Sequence, residues 1–432
     1  MLSRENPKNG GLSMDANLRH RIGMVLSALA IAVNYSPWVR AAVDMPDTLI
    51  LSSGQTHVVK TGLPMSAQAS GDQVAVIASG DERLADTHVS VSAVEDGEAS
   101  VTFSLLGLIP VHETKVSVVQ ERVLIPGGQA VGVALKTQGV LVVAGSSRQQ
   151  ERSALRVGDV ILSVEEEKIE SAKDLSERIH AAAADTVHMQ VLRGGKTVEI
   201  EASVPVDSTD GQRRLGVWVR DSTAGVGTLS YIDPENQCYG ALGHAIVDAD
   251  TGGLLTAREG AIMRAQVVGV TRGQSGKAGE LKGSFLKEND QIGTLECNSA
   301  FGIYGHMDIQ PQNLLYPQGL PVGTRSAVHT GAATIIATVD EEGPQEYGIE
   351  IIRCFEQDEP SQKGMILRVT DERLLEKTGG IVQGMSGSPI LQDGRIIGAV
   401  THVYLSDSAQ GYGMYIEWML EKSDALGEDQ AA

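Results

Sequence analysis

The sequence predicts a mainly β chain of several domains, and three observations carry that reading. The chain has 432 residues, room for two or three domains at roughly 150 residues each. Its 49 glycines and short valine-rich alternating stretches, such as Val74-Ala75-Val76-Ile77 and Val89-Ser90-Val91, suit strands joined by tight turns. Apolar residues make up 42% and charged residues 21%, enough to bury substantial cores and unlike a disordered chain. The charge balance narrows the partners. Basic residues number 35 against 55 acidic ones, a formal net charge of −20; such a surface repels phosphate backbones, no basic patch offsets it, and no nucleic-acid partner is expected. Cys238, Cys297 and Cys354 are widely spaced and odd in number, which fits neither a disulfide framework nor a CxxC site. Three partly buried thiols are expected.

Taken in order, residues 1–41 read as a signal peptide or export anchor. Arg19, His20 and Arg21 precede a mostly apolar run from Ile22 to Val33, shorter than the ~20 residues that span a bilayer. Val39-Arg40-Ala41 then offers an imperfect cleavage signature. Residues 42–125 form a small β-rich region, closed by the turn chemistry of Pro126-Gly127-Gly128. From 126 to 206 come a Gly-rich turn, strands at Ala130–Leu135 and Gly139–Val143, the segment Ser153-Ala154-Leu155-Arg156-Val157-Gly158-Asp159-Val160-Ile161-Leu162, a helix over about 171–184, and a hairpin at Arg193-Gly194-Gly195-Lys196. This string resembles a PDZ domain. PDZ domains add an extended peptide as a strand beside a helix, which points here to a groove between Val131–Lys136 and the helix carrying Leu175 and Ile179. Gly128, Gly132 and Val133 are then the expected peptide-binding residues. Residues 207–421 are β-rich with few helices and suit a double barrel, and 422–432 form a polar tail.

The chemistry concentrates at Gly384-Met385-Ser386-Gly387-Ser388-Pro389. A serine hydroxyl needs a base within reach and N–H donors aimed at the developing oxyanion. The flanking glycines let the N–H groups of Gly384 and Ser386 converge on one oxygen. The pattern is close to the GDSGGP string of chymotrypsin-like serine proteases, with Met385 in place of the acidic residue. A base is expected well upstream, and His244, in Tyr239-Gly240-Ala241-Leu242-Gly243-His244, fits. His402 is the runner-up. The stretch Gly273–Ala278 lacks the first glycine and the Ser/Thr of a phosphate loop, and no HExxH occurs, so neither a cofactor nor a metal is expected.

Together these segments resemble one family, the stage IV sporulation protein B serine peptidases of endospore-forming bacteria. The resemblance rests on YGALGHAIVD (239–248), FGIYG (301–305), TDERLLEKTGGIVQGMSGSPI (370–390), IIGAVTHV (396–403) and GYGMYIEWML (411–420), with the export segment and PDZ ahead of them. It implies a chymotrypsin-like double β-barrel, an endopeptidase with nucleophile Ser386, base His244 and Asp371 as third member. Chain order alone also admits Asp248 or Asp308, and Asp371 equally reads as the N-cap of a short helix. The resemblance further implies export from the forespore into the space between the forespore membranes, with the N-terminal segment as an optional anchor. The implied substrates are the chain itself and the regulatory subunit restraining an intramembrane metalloprotease that processes the late mother-cell sigma factor. Self-association through the PDZ is implied as well. Two other readings compete: a catalytically inactive PDZ scaffold, and an HtrA-type quality-control protease, whose chains place the protease before the PDZ.

Overall fold

The computed structural model describes residues 45–61, 65–79, 88–145, 154–285 and 290–431, together with Met24 and Ser27. Apart from Met24 and Ser27 the expected export segment lies outside the described residues, and among those described no helix is long and apolar enough to cross a membrane. The chain divides into two units, one up to Gln120 and one from Glu121.

The first unit is all strand: β1 (Thr48–Ser52), β2 (Thr56–Lys60), β3 (Met65–Ala69), β4 (Val74–Ser79), β5 (His88–Ala93), β6 (Gly97–Leu105) and β7 (Ile109–Val119). They form one sheet ordered β1-β7-β6-β3 and another ordered β2-β5-β4. Period-two alternation turns Val89 and Val91, Val101 and Phe103, and Val116 and Val118 inward, where they share a core with Leu49 and Leu51.

The second unit opens with β8 (Val123–Pro126) and the long β9 (Ala130–Gly145), followed by β10 (Val160–Val164), β11 (Glu167–Lys168), α1 (Ala172–Ala181), β12 (Thr186–Arg193), β13 (Lys196–Ser203) and the long β14 (Val217–Ile232). Then come β15 (Cys238–Ala241), β16 (Ala257–Thr271), β17 (Glu280–Phe285), β18 (Gln291–Thr294), β19 (Cys297–Ser299) and β20 (Gly302–His306). The start of β9 belongs to a barrel. Ala130 to Lys136 pair with Thr228 to Ser222 of β14 on one side, and Val131 to Thr137 pair with Arg264 to Ala257 of β16 on the other. β15 and β20 extend this sheet from β14, and the bridge Gly293–Met307 joins β18 back to the end of β20. Val131, Val133, Leu135, Leu229, Tyr239, Ile262, Ile292 and Ile303 fill its interior.

At Gly139 β9 crosses into a second sheet. Its φ is +79°, and a Cβ there would sit 2.5 Å from the carbonyl oxygen of Ile161, so only glycine lets the two backbones pass. Beyond that point β9 lies in the order β13-β12-β10-β9-β14, which encloses Val140, Val142, Ile161, Val187, Met189 and Val191. Helix α1 begins at Ser171, whose side chain accepts from the N–H of Asp174, and buries Leu175 and Ile179, four residues apart on one face. The PDZ fold is thus an insertion between the first two long strands of the barrel.

This topology corrects the expected peptide site. Gly132 and Val133 lie on a strand whose two edges are both occupied, by β14 and β16, and Gly128 packs against Ile336, where a Cβ would come within 2.2 Å of its Cγ2. No peptide strand can add there. The sheet edge that faces α1 is the start of β14, and a groove of about 660 Å³ runs between Leu175 and Ile179 on one side and Leu215 to Val219 on the other.

The second barrel follows a short β21 (Leu320–Pro321). It comprises β22 (Gly331–Thr338), β23 (Pro344–Cys354), β24 (Met365–Val369), β25 (Pro389–Gln392), β26 (Arg395–Val403) and β27 (Gln410–Tyr415), closed in the order β22-β23-β24-β27-β26-β25. Ile335, Tyr347, Ile349, Leu367, Ile390, Val400 and Met414 form its core. Between β24 and β25 lies α2 (Glu372–Thr378), and the chain ends in α3 (Ile416–Ala431). The polar tail expected from 422 is therefore helical instead. Ser423 is fully buried and Leu426 packs on the second core, which extends the helix beyond its apolar start.

Candidate active site

The loop carrying Ser386 is held by both barrels. Helix α2 ends at Gly379, in the left-handed conformation at φ 75°, and the chain turns through Ile381 to Gly387. Gly384 and Gly387 both have φ +97°, and a Cβ on Gly387 would lie 2.2 Å from the carbonyl oxygen of Thr228. Met385, which stands where related strings carry an acid, is a fully buried anchor in the second core. Its N–H donates to Val382 O (3.1 Å) and its carbonyl accepts from Ser388 N (3.0 Å). The N–H groups of Gly384 and Ser386 have no hydrogen-bond partner among the described residues, and both residues line the cleft. The sequence reading expects these two N–H groups to serve as the donor pair. The Ser386 hydroxyl donates to Thr401 O at 2.9 Å.

His244 reaches the same cleft from the first barrel. After β15 the backbone makes two left-handed steps, Leu242 (φ 70°) and Gly243 (φ 66°), which turn the chain beneath Thr401; a Cβ on Gly243 would stand 3.2 Å from its Cγ2. The N–H of Leu242 donates to Thr228 O at 3.1 Å. His244 Nδ1 lies 2.9 Å from Ala245 O, and its ring is 5.5 Å, centroid to centroid, from that of His402. The cleft holds about 510 Å³, with His244, Ser386, Thr401 and His402 beside the apolar Ile381, Val382, Val403 and Leu405. Burial lowers the pKa of His402, with further lowering from His244 and Lys363, and its Nδ1 is buried without a partner among the described residues.

Asp371 is not in this cleft, which corrects the expected third member. Its carboxylate receives bonds from Arg373 Nε (3.0 Å) and Nη2 (2.8 Å), from Arg373 N (3.0 Å) and from Gly348 N (3.3 Å). These bonds, the Arg373 side chain foremost, bring its pKa down to about 2. It is the N-cap of α2. The alternatives fare no better. Asp248 has a fully buried side chain paired with Arg220 and bonded to Thr251, while Asp308 meets Gln291. Among the described residues no carboxylate lines the cleft, and no group of His, Cys, Asp and Glu could hold a metal ion. The three cysteines are free, Cys238 buried and the others half-buried.

A double β-barrel that brings a glycine-flanked serine and a histidine to one cleft, with a PDZ fold set into the first barrel, defines a chymotrypsin-like serine peptidase. Residues 211–420 match the SpoIVB peptidase S55 family and residues 127–204 the PDZ domain family. Residues 211–420 are thus a peptidase domain of the SpoIVB type, preceded by a PDZ domain. Among solved structures, the PDZ domain of an SdrC-like protein from Listeria monocytogenes is 21% identical, over 19% of this chain and 87% of that one, with a TM-score of 0.17. The counterpart from Listeria innocua is 22% identical, over 19% and 93%, with a TM-score of 0.18. The Rv3671c protease of M. tuberculosis, in its active form, is 13% identical over 47% of this chain and 74% of that one, with a TM-score of 0.25. No curated protein matches the chain.

Proposed function

We propose that the chain is an endopeptidase in which Ser386 attacks the scissile carbonyl, His244 takes its proton, and the N–H groups of Gly384 and Ser386 receive the oxyanion. The observation that carries this reading is the meeting of Ser386 and His244 in one cleft with those two N–H groups unengaged. The resting hydroxyl, bonded to Thr401 O, must rotate towards His244 as substrate enters. Proton transfer to His244 then accompanies attack, and the imidazolium returns the proton to the leaving amine. The apolar wall of Ile381, Val382, Val403 and Leu405 supports a preference for an apolar side chain at the residue that donates the scissile carbonyl. Among the described residues no Asp, Glu, Lys or Arg lines the cleft to favour a basic or acidic one.

The physiological setting is inferred from the family and from the basic and apolar N-terminal sequence: export from the forespore into the space between its membranes, during sporulation. There the enzyme would cleave itself and the regulatory subunit of the intramembrane metalloprotease that processes the late mother-cell sigma factor, with the PDZ capturing extended peptide in the groove between α1 and β14 and supporting self-association. The test is labelling of the full chain by a fluorophosphonate probe, with Ser386→Ala as control. Labelling that persists in the variant, or that is absent from the wild type, rejects the assignment of Ser386 and returns the chain to the binding-scaffold reading. A peptide library cut only after charged residues rejects the apolar preference while leaving the chemistry intact.

A further inference from the structure

Thr228 stands where the two halves of the site meet. It belongs to β14 in the first barrel and is 1% exposed. Its backbone N–H donates to Ser386 O at 3.1 Å, its carbonyl accepts from Leu242 N at 3.1 Å, and its hydroxyl donates to Gly384 O at 2.7 Å. One residue therefore grips the nucleophile loop twice and, through Leu242, the segment that carries His244 two positions on. We infer that Thr228 is a positioning residue for the oxyanion site and for the register between nucleophile and base.

The physical argument concerns three consecutive peptide planes. The two oxyanion donors belong to the planes on either side of the Gly384–Met385 peptide. The middle plane is pinned at both ends, its carbonyl by the Thr228 hydroxyl and its N–H by Val382 O. Gly384 sits at φ +97°, where a glycine peptide rotates at little steric cost. Without the hydroxyl, nothing on the carbonyl side opposes that rotation, and the N–H of Gly384 loses its aim. A donor worth two or three powers of ten in turnover when aimed from a preorganised site is worth little when it wanders. The backbone bonds of Thr228 survive any side-chain change, so the hydroxyl can be tested alone.

The experiment uses the full chain with Thr228→Val, which keeps the shape and removes the hydroxyl, and Thr228→Ser, which keeps the hydroxyl and removes the methyl. The readouts are kcat and KM on a p-nitrophenyl ester, and the affinity of a peptide aldehyde whose adduct places an oxyanion in the site. Thr228→Val is expected to lower kcat about 10- to 100-fold with KM within twofold, and to weaken the aldehyde in parallel. Thr228→Ser is expected to recover most of the rate. The inference is overturned if folded Thr228→Val turns over like wild type, if the loss falls on KM alone, or if Thr228→Ser is as damaged as Thr228→Val, which would make the methyl packing responsible. Should the valine variant not fold, Thr228→Ala against Thr228→Ser gives the same comparison. The inference rests on Ser386 as nucleophile, and fluorophosphonate labelling of the wild type tests that assignment separately.

Discussion

His244 Nδ1 lies 2.9 Å from the carbonyl oxygen of its neighbour Ala245. A carbonyl only accepts, so Nδ1 carries the proton and Nε2 keeps its lone pair, the tautomer a general base requires. In the proposed mechanism a backbone carbonyl takes the orienting task that a carboxylate performs in a Ser-His-Asp triad. It lacks the negative charge that would stabilise the imidazolium. Ser386→Ala and His244→Ala are each expected to reduce peptidase turnover by about 10⁶-fold, with the double variant little worse, because the two act as one unit. Steady-state rates on a protein substrate check this, and multiplicative losses would show two independent groups instead.

His402 adds a pH dependence on the acid side. Its folded-state pKa is lowered, first by burial and then by His244 and Lys363. The unfolded chain therefore binds the proton more readily, so the stabilisation present above the ordinary imidazole range is lost as pH falls through and below it. Between pH 7 and pH 5 the melting temperature of the wild type should fall more steeply than that of His402→Gln. Parallel curves would mean that the native cleft binds the His402 proton as readily as the unfolded chain does.

Asp371 is expected to act through α2 alone. Its folded-state pKa is brought down to about 2, so its contribution is present above the ordinary aspartate range and lost as pH falls towards 2. Asp371→Asn keeps a capping acceptor but loses the charge that holds Arg373, whereas Asp371→Ala loses both, at about 1 kcal/mol for the cap. Since α2 leads into the loop of Gly379 to Ser386, some activity should fall with the helix. The shape of the pH–rate profile should stay unchanged. A changed ascending limb in Asp371→Asn would place this carboxylate at His244 during turnover.

The thiols should be slow. Cys238 is 1% exposed and bonded to His306 at 3.3 Å, and burial raises its pKa. Burial also pushes Cys354 up to about 11 and raises Cys297. Native protein is expected to take up iodoacetamide sluggishly at pH 7, Cys238 last, while denatured protein reacts at all three positions. Rapid native labelling of Cys238, read by mass spectrometry, would show that the His306 side of the barrel opens.

The serine and histidine segments were legible because their signals are local: glycines beside a chemically active side chain state their backbone needs within a few residues. The peptide edge was not. Alternation of Val131, Val133 and Leu135 tells which face of β9 is buried, and says nothing about which strands occupy its edges. Asp371 was named as third member by the family resemblance, whereas its own neighbourhood already reads as a helix cap, the role it has at the start of α2. Thr228 gave no signal at all, because its hydroxyl meets a carbonyl 156 positions away. Its one trace in the sequence is a polar residue in the buried end of β14.

The groove between α1 and β14 supplies the last prediction. Gly216, at φ 70°, turns the chain so that Leu215 to Val219 run beside α1 with one edge of β14 paired to β9 and the other facing the helix. In the proposed role of the PDZ an extended peptide adds as a strand there, with its terminal carboxylate at the backbone N–H groups around Gly216. Of the three tryptophans, Trp218 is 75% exposed and lines this groove, whereas Trp418 is 7% exposed, so the part of the emission that Trp218→Phe removes should report occupancy. Peptides with a free C-terminal carboxylate and an apolar last residue are expected to shift that emission, and amidated copies to bind more weakly. By polarisation of a labelled peptide, Trp218→Ala should weaken binding about tenfold, the usual scale for a truncated aromatic contact. Gly128→Leu should behave differently. Its side chain would be driven into Ile336 at a φ that disfavours it, with an overpacking cost of about 1–3 kcal/mol that a melting curve would register. If Gly128→Leu melted like wild type and lost only peptide binding, the site would lie on β9 and the pairing of its edges would have to open in solution.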